Sequence, residues 1–272
     1  MPFTLSHAAA ALPFRRFKPV WPALVVGTFA PDLPYFILIS DEDRTGHHFP
    51  EAVLYTLPLA LLVLWVFEWW VKGPVVELLP SGLQRHLQDK VEPLSFKGWG
   101  QFGSIVLWIA VGIATHVIWD QFTHSHTWMN AHWSVLHYSV PVPFHAPVLL
   151  PKILQHASTI LGLLVVAAWC VLWYRRTTPV PETSLPQLSS FRKFVAVITM
   201  AGIAAVVGYP LAILKLADHA PPIRPLYFIV TVFEAMTLIF CVQVLIYGVA
   251  RISSARFRRI PAAQADEPAA RS

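Results

Sequence analysis

"FGSIVLWIAVGIATHVIWD", residues 102–120, begins as an apolar run of spanning length and ends by acquiring His116 and Asp120. The chain then continues as "QFTHSH", adding His124 and His126. A membrane helix needs about 20 apolar residues, and ionisable groups inside one cost free energy unless something compensates them. The stretch is therefore either a membrane helix with a functional polar end or a helix from an unusually greasy soluble core. Composition separates the two. Of 272 residues, 56% are hydrophobic and only 13% are charged, where a soluble domain carries about a quarter charged. The chain reads as an integral membrane protein. It opens without a basic-led signal peptide and cleavage site, and is read as mature throughout.

Three further runs, 52–71, 152–174 and 225–250, have the same length and polarity, and a fifth, 194–214, is apolar throughout. The fifth contains Gly202, Gly208 and Pro210, which predicts a kink near its end. The segment 19–40, "PVWPALVVGTFAPDLPYFILIS", is apolar but interrupted by Pro22, Pro31 and Pro34. Broken backbone at membrane depth is tolerated where it is buried in protein or lines a polar cavity, so 19–40 is read as a broken span or a re-entrant segment with Asp32 at the break. The predicted fold is an all-α polytopic membrane helix bundle, with five clear spans plus a proline-broken N-terminal segment. Residues 1–174 form the site-bearing helical membrane domain, 175–193 a linker loop, 194–250 a two-span support, and 251–272 a basic, disordered tail. A short amphipathic helix is expected around "GLQRHLQDKVE" within 72–101.

The net charge of +5 comes from basic clusters beside apolar runs: "FRRFK" (14–18), "YRR" (174–176), "FRK" (191–193) and "ARFRRI" (255–260). This is the positive-inside pattern, with lipid head groups as the contact it implies, and it does not describe a nucleic-acid-binding face. Loop 175–193 and the C-terminus are thereby assigned to the cytoplasm, 72–101 to the same side, and 121–151, which has no Lys or Arg, to the outside. If 19–40 crosses completely, "FRRFK" also lies inside. Cys170 and Cys241 fall within apolar runs and imply no disulfide framework.

That topology brings distant residues to one membrane face. His116, Asp120 and His124 share one face of a helix by their four-residue spacing. His156 opens the next span from the same side, His47 precedes the first clear span there, and Asp32 lies toward the outer half of the broken segment. Imidazole nitrogen and carboxylate oxygen are the ligands of a zinc-type cation, and such a cation would offset the burial of the carboxylates. The competing reading is an interfacial hydrogen-bonded network, with Trp119, Trp128 and Trp133 as an aromatic belt. Ser6, Thr115 and Thr123 neighbour these residues and are candidates for the outer hydrogen bonds that ligating imidazoles need. Glu51 is either a helix N-terminal charge or an extra ligand.

With "MPFTLSHAAAALPF" (1–14), "GTFAPDLPYF" (27–36), "HHFPEAVLYTLPLALL" (47–62), "THVIWDQFTH" (115–124) and "LQHASTILGL" (154–163), the sequence resembles an uncharacterised bacterial membrane-protein family, domain-of-unknown-function family 4184. It is distantly similar to membrane-bound metal-dependent hydrolases. This resemblance implies the bacterial inner membrane. A looser likeness, to zinc-dependent phospholipases C, rests on ligand order. It implies one site from Asp32, His47, His116 and Asp120, a second using His124 and His156, and a third using His7 with a shared Asp120. Ile160 stands where that family's last carboxylate would be, so the second site lacks a ligand. His7 precedes "FRRFK": either the N-terminus folds back through a re-entrant 19–40, or His7 is not a ligand.

The chemistry implied is hydrolysis by a metal-activated water on phospholipid or lipid-linked phosphodiesters, with one or two zinc-like ions and Asp32 or Asp120 in a catalytic role. The alternative is a non-catalytic metal carrier, sensor or structural subunit, for which the loop histidines His126, His132, His137 and His145 would capture ions. A carrier also requires ionisable residues along the later spans, where Glu234 stands almost alone and fits a polar contact between helices. Phosphate loops, HExxH, GxSxG and CxxC motifs are absent from the sequence.

Overall fold

A computed structural model describes residues 4–17, 20–38, 52–96, 98–125, 127–141, 146–181, 188–217 and 225–254. The predicted all-α bundle is the fold observed. Five helical stretches are long and apolar enough to cross a membrane: Leu54–Leu78, Trp99–Thr123, Leu150–Arg176, Ser190–Ala217 and Tyr227–Ser253.

The N-terminal segment is re-entrant. A 3-10 helix, Thr4–Phe14, is followed by a turn, α1 (Trp21–Phe29), a 3-10 turn (Ala30–Asp32) and α2 (Leu33–Leu38). The three prolines that forbid one continuous helix each fall in the first turn of a short one, where the missing N–H would have had no helical partner anyway. The break expected at Asp32 is thus a relay of short helices.

The first span is α3 (Leu57–Val66) and α4 (Lys72–Leu78), joined by a π-helical turn Phe67–Val71. Pro74 cannot donate to the carbonyl four residues back and would collide with it in a regular helix, and a π-turn relieves such a collision. The displaced carbonyl is that of Trp70. It lies so close to Gly248 that a Cβ there would sit 2.0 Å from the oxygen, so the proline in one helix is accommodated by a glycine in another. The expected short helix follows as α5 (Ser81–Leu87). Gly98, at φ +85°, turns the chain into α6 (Trp99–Thr123). Next come α7 (Trp128–His132) and a two-stranded hairpin, β1 (Ser139–Val140) with β2 (Val148–Leu149). The remaining spans are α8 (Leu150–Arg176), α9 (Ser190–Ala217) and α10 (Pro225–Ser253). Pro210 lies inside α9 without ending it, and α10 takes in residues 251–253, assigned above to the tail.

The core is where α1, α3 and α6 meet, through Ala23, Ala60, Leu64, Ile105 and Ile109, none with any exposed surface. A smaller apolar cluster joins α9 and α10 at Ala212 and Ala235, and many other apolar side chains point outward, such as Leu161, Val206 and Ile246 at 61%, 74% and 62% exposure. Association between such helices depends on close packing rather than on the hydrophobic effect, and small residues supply it. A Cβ on Gly27 of α1 would lie 2.4 Å from the Ile109 carbonyl of α6. One on Gly162 of α8 would lie 2.7 Å from Ser6 Cβ in the N-terminal 3-10 helix.

Contacts sort the helix ends into two groups. Val180 N donates to Arg85 O (3.0 Å), His86 Nδ1 meets Thr177 Oγ1 (2.9 Å), and Lys193 Nζ donates to Leu79 O (3.0 Å). The Arg251 guanidinium grips the buried Glu77 carboxylate. The segments around 79–86, 177–180, 193 and 251 thus share one end of the bundle. The C-terminus of α6, α7, the β-hairpin and the start of α8 occupy the other.

Candidate metal centre

The parallel course of α1 and α6 builds the site. Phe17 packs on Trp108 (ring centroids 5.2 Å), Gly27 lies on Gly112, and the Thr28 carbonyl reaches His116. The 3-10 helix runs the other way. Trp21 Nε1 donates to Ala11 O at 2.9 Å near the tip of the hairpin, and Thr4 Oγ1 donates to Asp32 Oδ2 at 2.7 Å at its open end. The start of the 3-10 helix and the Ala30–Asp32 turn are therefore level with one another, and both reach the last two turns of α6. Of the two alternatives for His7, the fold-back is the one observed.

His116 is fully buried, Asp32 is 1% exposed, and Asp120 and His7 are also buried. His116 Nε2 stands 3.4 Å from Asp32 Oδ1 and 3.4 Å from Asp120 Oδ2. His7 Nε2 is 3.8 Å from Asp120 Oδ1, and the His7 and His116 rings stack at 3.9 Å with an 18° tilt. The other His116 nitrogen, Nδ1, is 2.8 Å from the Thr28 carbonyl. A carbonyl only accepts, so Nδ1 carries a hydrogen, and in the neutral ring Nε2 presents a lone pair to the two carboxylates.

The spacing is informative. A direct charge-assisted N–H···O bond closes to about 2.7–2.9 Å. Nitrogen and oxygen ligands on one tetrahedral zinc-type ion, each about 2.0–2.2 Å from it, stand about 3.4 Å apart. The imidazole–carboxylate separations of 3.4, 3.4 and 3.8 Å are all longer than such a bond, and the two at 3.4 Å equal that ligand–ligand edge. The two buried carboxylates can be offset by one divalent cation or by protons on both His116 and His7. His7, His116 and Asp120 offer ligand atoms all within 4.8 Å of one another, a group that could hold a metal ion.

His124 lies at the rim. Its side chain is 31% exposed and its Nδ1 is 3.7 Å from Asp120 Oδ2, just past the end of α6. His156 is on an exposed face of α8, while the buried residue of that turn is Gln155, which accepts from Lys152 Nζ at 2.8 Å. His47, Glu51, His126 and His145 lie outside the described residues. Of the three neighbours singled out for outer hydrogen bonds, Thr123 Oγ1 is placed 3.4 Å from Asp120 Oδ1. Thr115 bonds back to its own helix at Gly112 O, and Ser6 packs on Gly162. The sequence reading missed Thr4. Its signal was the three-residue spacing to His7, which sets both on one face of a 3-10 helix.

No curated protein and no solved structure matches the chain. A family model does match, over residues 1–249, and the chain belongs to the family it describes, Domain of unknown function (DUF4184).

Proposed function

We propose that this chain is a membrane-embedded, metal-dependent hydrolase of phospholipid or lipid-linked phosphodiesters, holding zinc or a zinc-like ion. The observation that carries the reading is the buried His7–His116–Asp120 group, whose ligand atoms all lie within 4.8 Å of one another, with Asp32 Oδ1 3.4 Å from His116 Nε2. His116, Asp120 and His7 would hold the ion with Asp32, and His124 at the rim faces the route by which a substrate arrives. A bound ion there supplies Lewis acidity and an acidified water, the usual means of phosphodiester hydrolysis. Asp32 and Asp120, with one oxygen each toward His116, are the carboxylates available to orient a nucleophile. The positive-inside rule puts the end of the bundle holding 79–86, 177–180 and 193 in the cytoplasm of a bacterial inner membrane, and the cluster toward the outer face. Lipid head groups are the substrates within reach there.

One observation favours an alternative. His116 and Asp32 are almost wholly enclosed, and closed sites are typical of structural rather than catalytic ions. Elemental mass spectrometry on detergent-purified protein, with hydrolysis of lipid phosphodiesters measured on the same samples, separates the two. Near-stoichiometric metal in the wild type is expected to fall at least about tenfold in both His116→Ala and Asp120→Ala, and turnover is expected to fall with it. Metal without turnover of any phosphoester leaves the structural-ion reading. A folded protein that takes up no zinc, manganese or iron ends both.

A further inference from the structure

We infer that Thr4 is a positioning residue of the metal centre, so that the N-terminal 3-10 helix contributes to the site's affinity as well as supplying His7. The inference rests on the metal reading above. A carboxylate next to an ion has two equivalent oxygens and can rotate between them, and a hydrogen bond to one of them fixes which faces the ion. Asp32 is divided in this way. Oδ2 accepts the Thr4 hydroxyl at 2.7 Å, and Oδ1 is left 3.4 Å from His116 Nε2.

The same division of labour recurs at His116, again through a threonine. Its Nδ1 is fixed by the Thr28 carbonyl at 2.8 Å, which turns Nε2 inward. Asp120 differs: Thr123 Oγ1 is 3.4 Å from Oδ1, a longer and weaker contact, and that same oxygen also faces His7 while Oδ2 faces His116. Thr28 contributes backbone that substitution cannot remove, and its hydroxyl is committed to Val25 O at 2.7 Å. Thr4 is therefore the position where one side-chain atom carries the orienting role. Such outer partners change metal affinity by about 10–100-fold.

The test is zinc affinity by chelator competition on full-length, detergent-solubilised protein, with thermal unfolding of the metal-free form measured in parallel. Thr4→Val keeps the shape and removes the hydroxyl. It is expected to weaken zinc binding about 10–100-fold and, because a buried carboxylate loses a donor, to lower the metal-free unfolding midpoint while the protein still folds. Thr4→Ser restores the hydroxyl and is expected to recover most of the affinity. Thr123→Val, losing the longer contact, is expected to change affinity less than Thr4→Val. Wild-type affinity in Thr4→Val, with wild-type zinc binding intact, overturns this inference alone. Zinc binding absent from the wild type overturns the metal reading and this one with it. If Thr4→Val does not fold, Thr4→Ser decides: a serine variant as weak as His116→Ala overturns the hydroxyl's role.

Discussion

Gly112→Val is expected to destabilise the protein by about 3 kcal/mol or more and to abolish metal binding, though residue 112 touches no ligand. A Cβ at this position would lie 2.5 Å from the Leu24 carbonyl and 2.7 Å from Gly27 Cα. Overpacking costs about 1–3 kcal/mol when flexible side chains can yield. Here the obstacles are backbone atoms of another helix, so α1 has to move away from α6 as a body. The Thr28 carbonyl moves with it, away from His116 Nδ1, and so does Asp32 from Nε2. Gly103→Val on the same helix is the control, since a Cβ there meets nothing within 4 Å; its effect is expected within about 0.5 kcal/mol. Thermal unfolding and metal content of the two variants decide. If they behave alike, the glycine crossing is not what seats the hairpin.

Arg251→Ala is expected to cost about 3–5 kcal/mol at the opposite end of the bundle. The Glu77 side chain has no exposed surface and that of Arg251 is 19% exposed. The guanidinium holds both carboxylate oxygens, Nε donating to Oε2 at 2.8 Å and a terminal nitrogen to Oε1. Removing the arginine leaves a buried carboxylate without its counter-charge, which is the expensive half of a broken pair. Replacing both residues, Glu77→Leu with Arg251→Met, is expected to recover most of the loss, since apolar isosteres commonly equal a buried pair. A double-mutant cycle by denaturant or thermal unfolding reads the coupling. Additive single effects would show that the pair contributes little. Metal content of the folded fraction is expected to stay at the wild-type level, because the cluster lies at the other end.

The five spans were legible because each is a long apolar run, and their helices extend the expected segments by only a few residues at most ends. The first span is the exception. The run 52–71 stops at Lys72, yet the helix continues to Leu78 and buries Glu77. Charge at Lys72 and Glu77 reads as loop in a hydropathy pattern, which cannot see that Arg251 waits some 170 residues later to pair with the carboxylate. The site was legible in part. His116 and Asp120 declare themselves through helical spacing, and Asp32 through the prolines around it. The position of His7 was not, because charge counting cannot distinguish a crossing segment from a hairpin whose tip carries Arg15 and Arg16 toward the far side. That tip lies level with Trp108, nine residues into α6, and so reaches to within roughly 14 Å of that helix's start. Long basic side chains span much of such a gap. Thr4 escaped because its three-residue spacing to His7 puts the two on one face only in a 3-10 helix, which the apolar pattern of that segment does not announce.

The hairpin also sets a timetable. Thr28 and His116 are separated by 88 residues, and the hairpin leaves the ribosome before the helix that receives it has been made. At about 5–20 residues per second, the wait is roughly 4–18 s. During it, a wedge of short, proline-started helices has buried carboxylate and imidazole groups to accommodate and no docking groove. Newly made chains therefore pass through an interval in which His7 and Asp32 exist without the His116 and Asp120 they later meet. Only the arrival of α6 closes that interval.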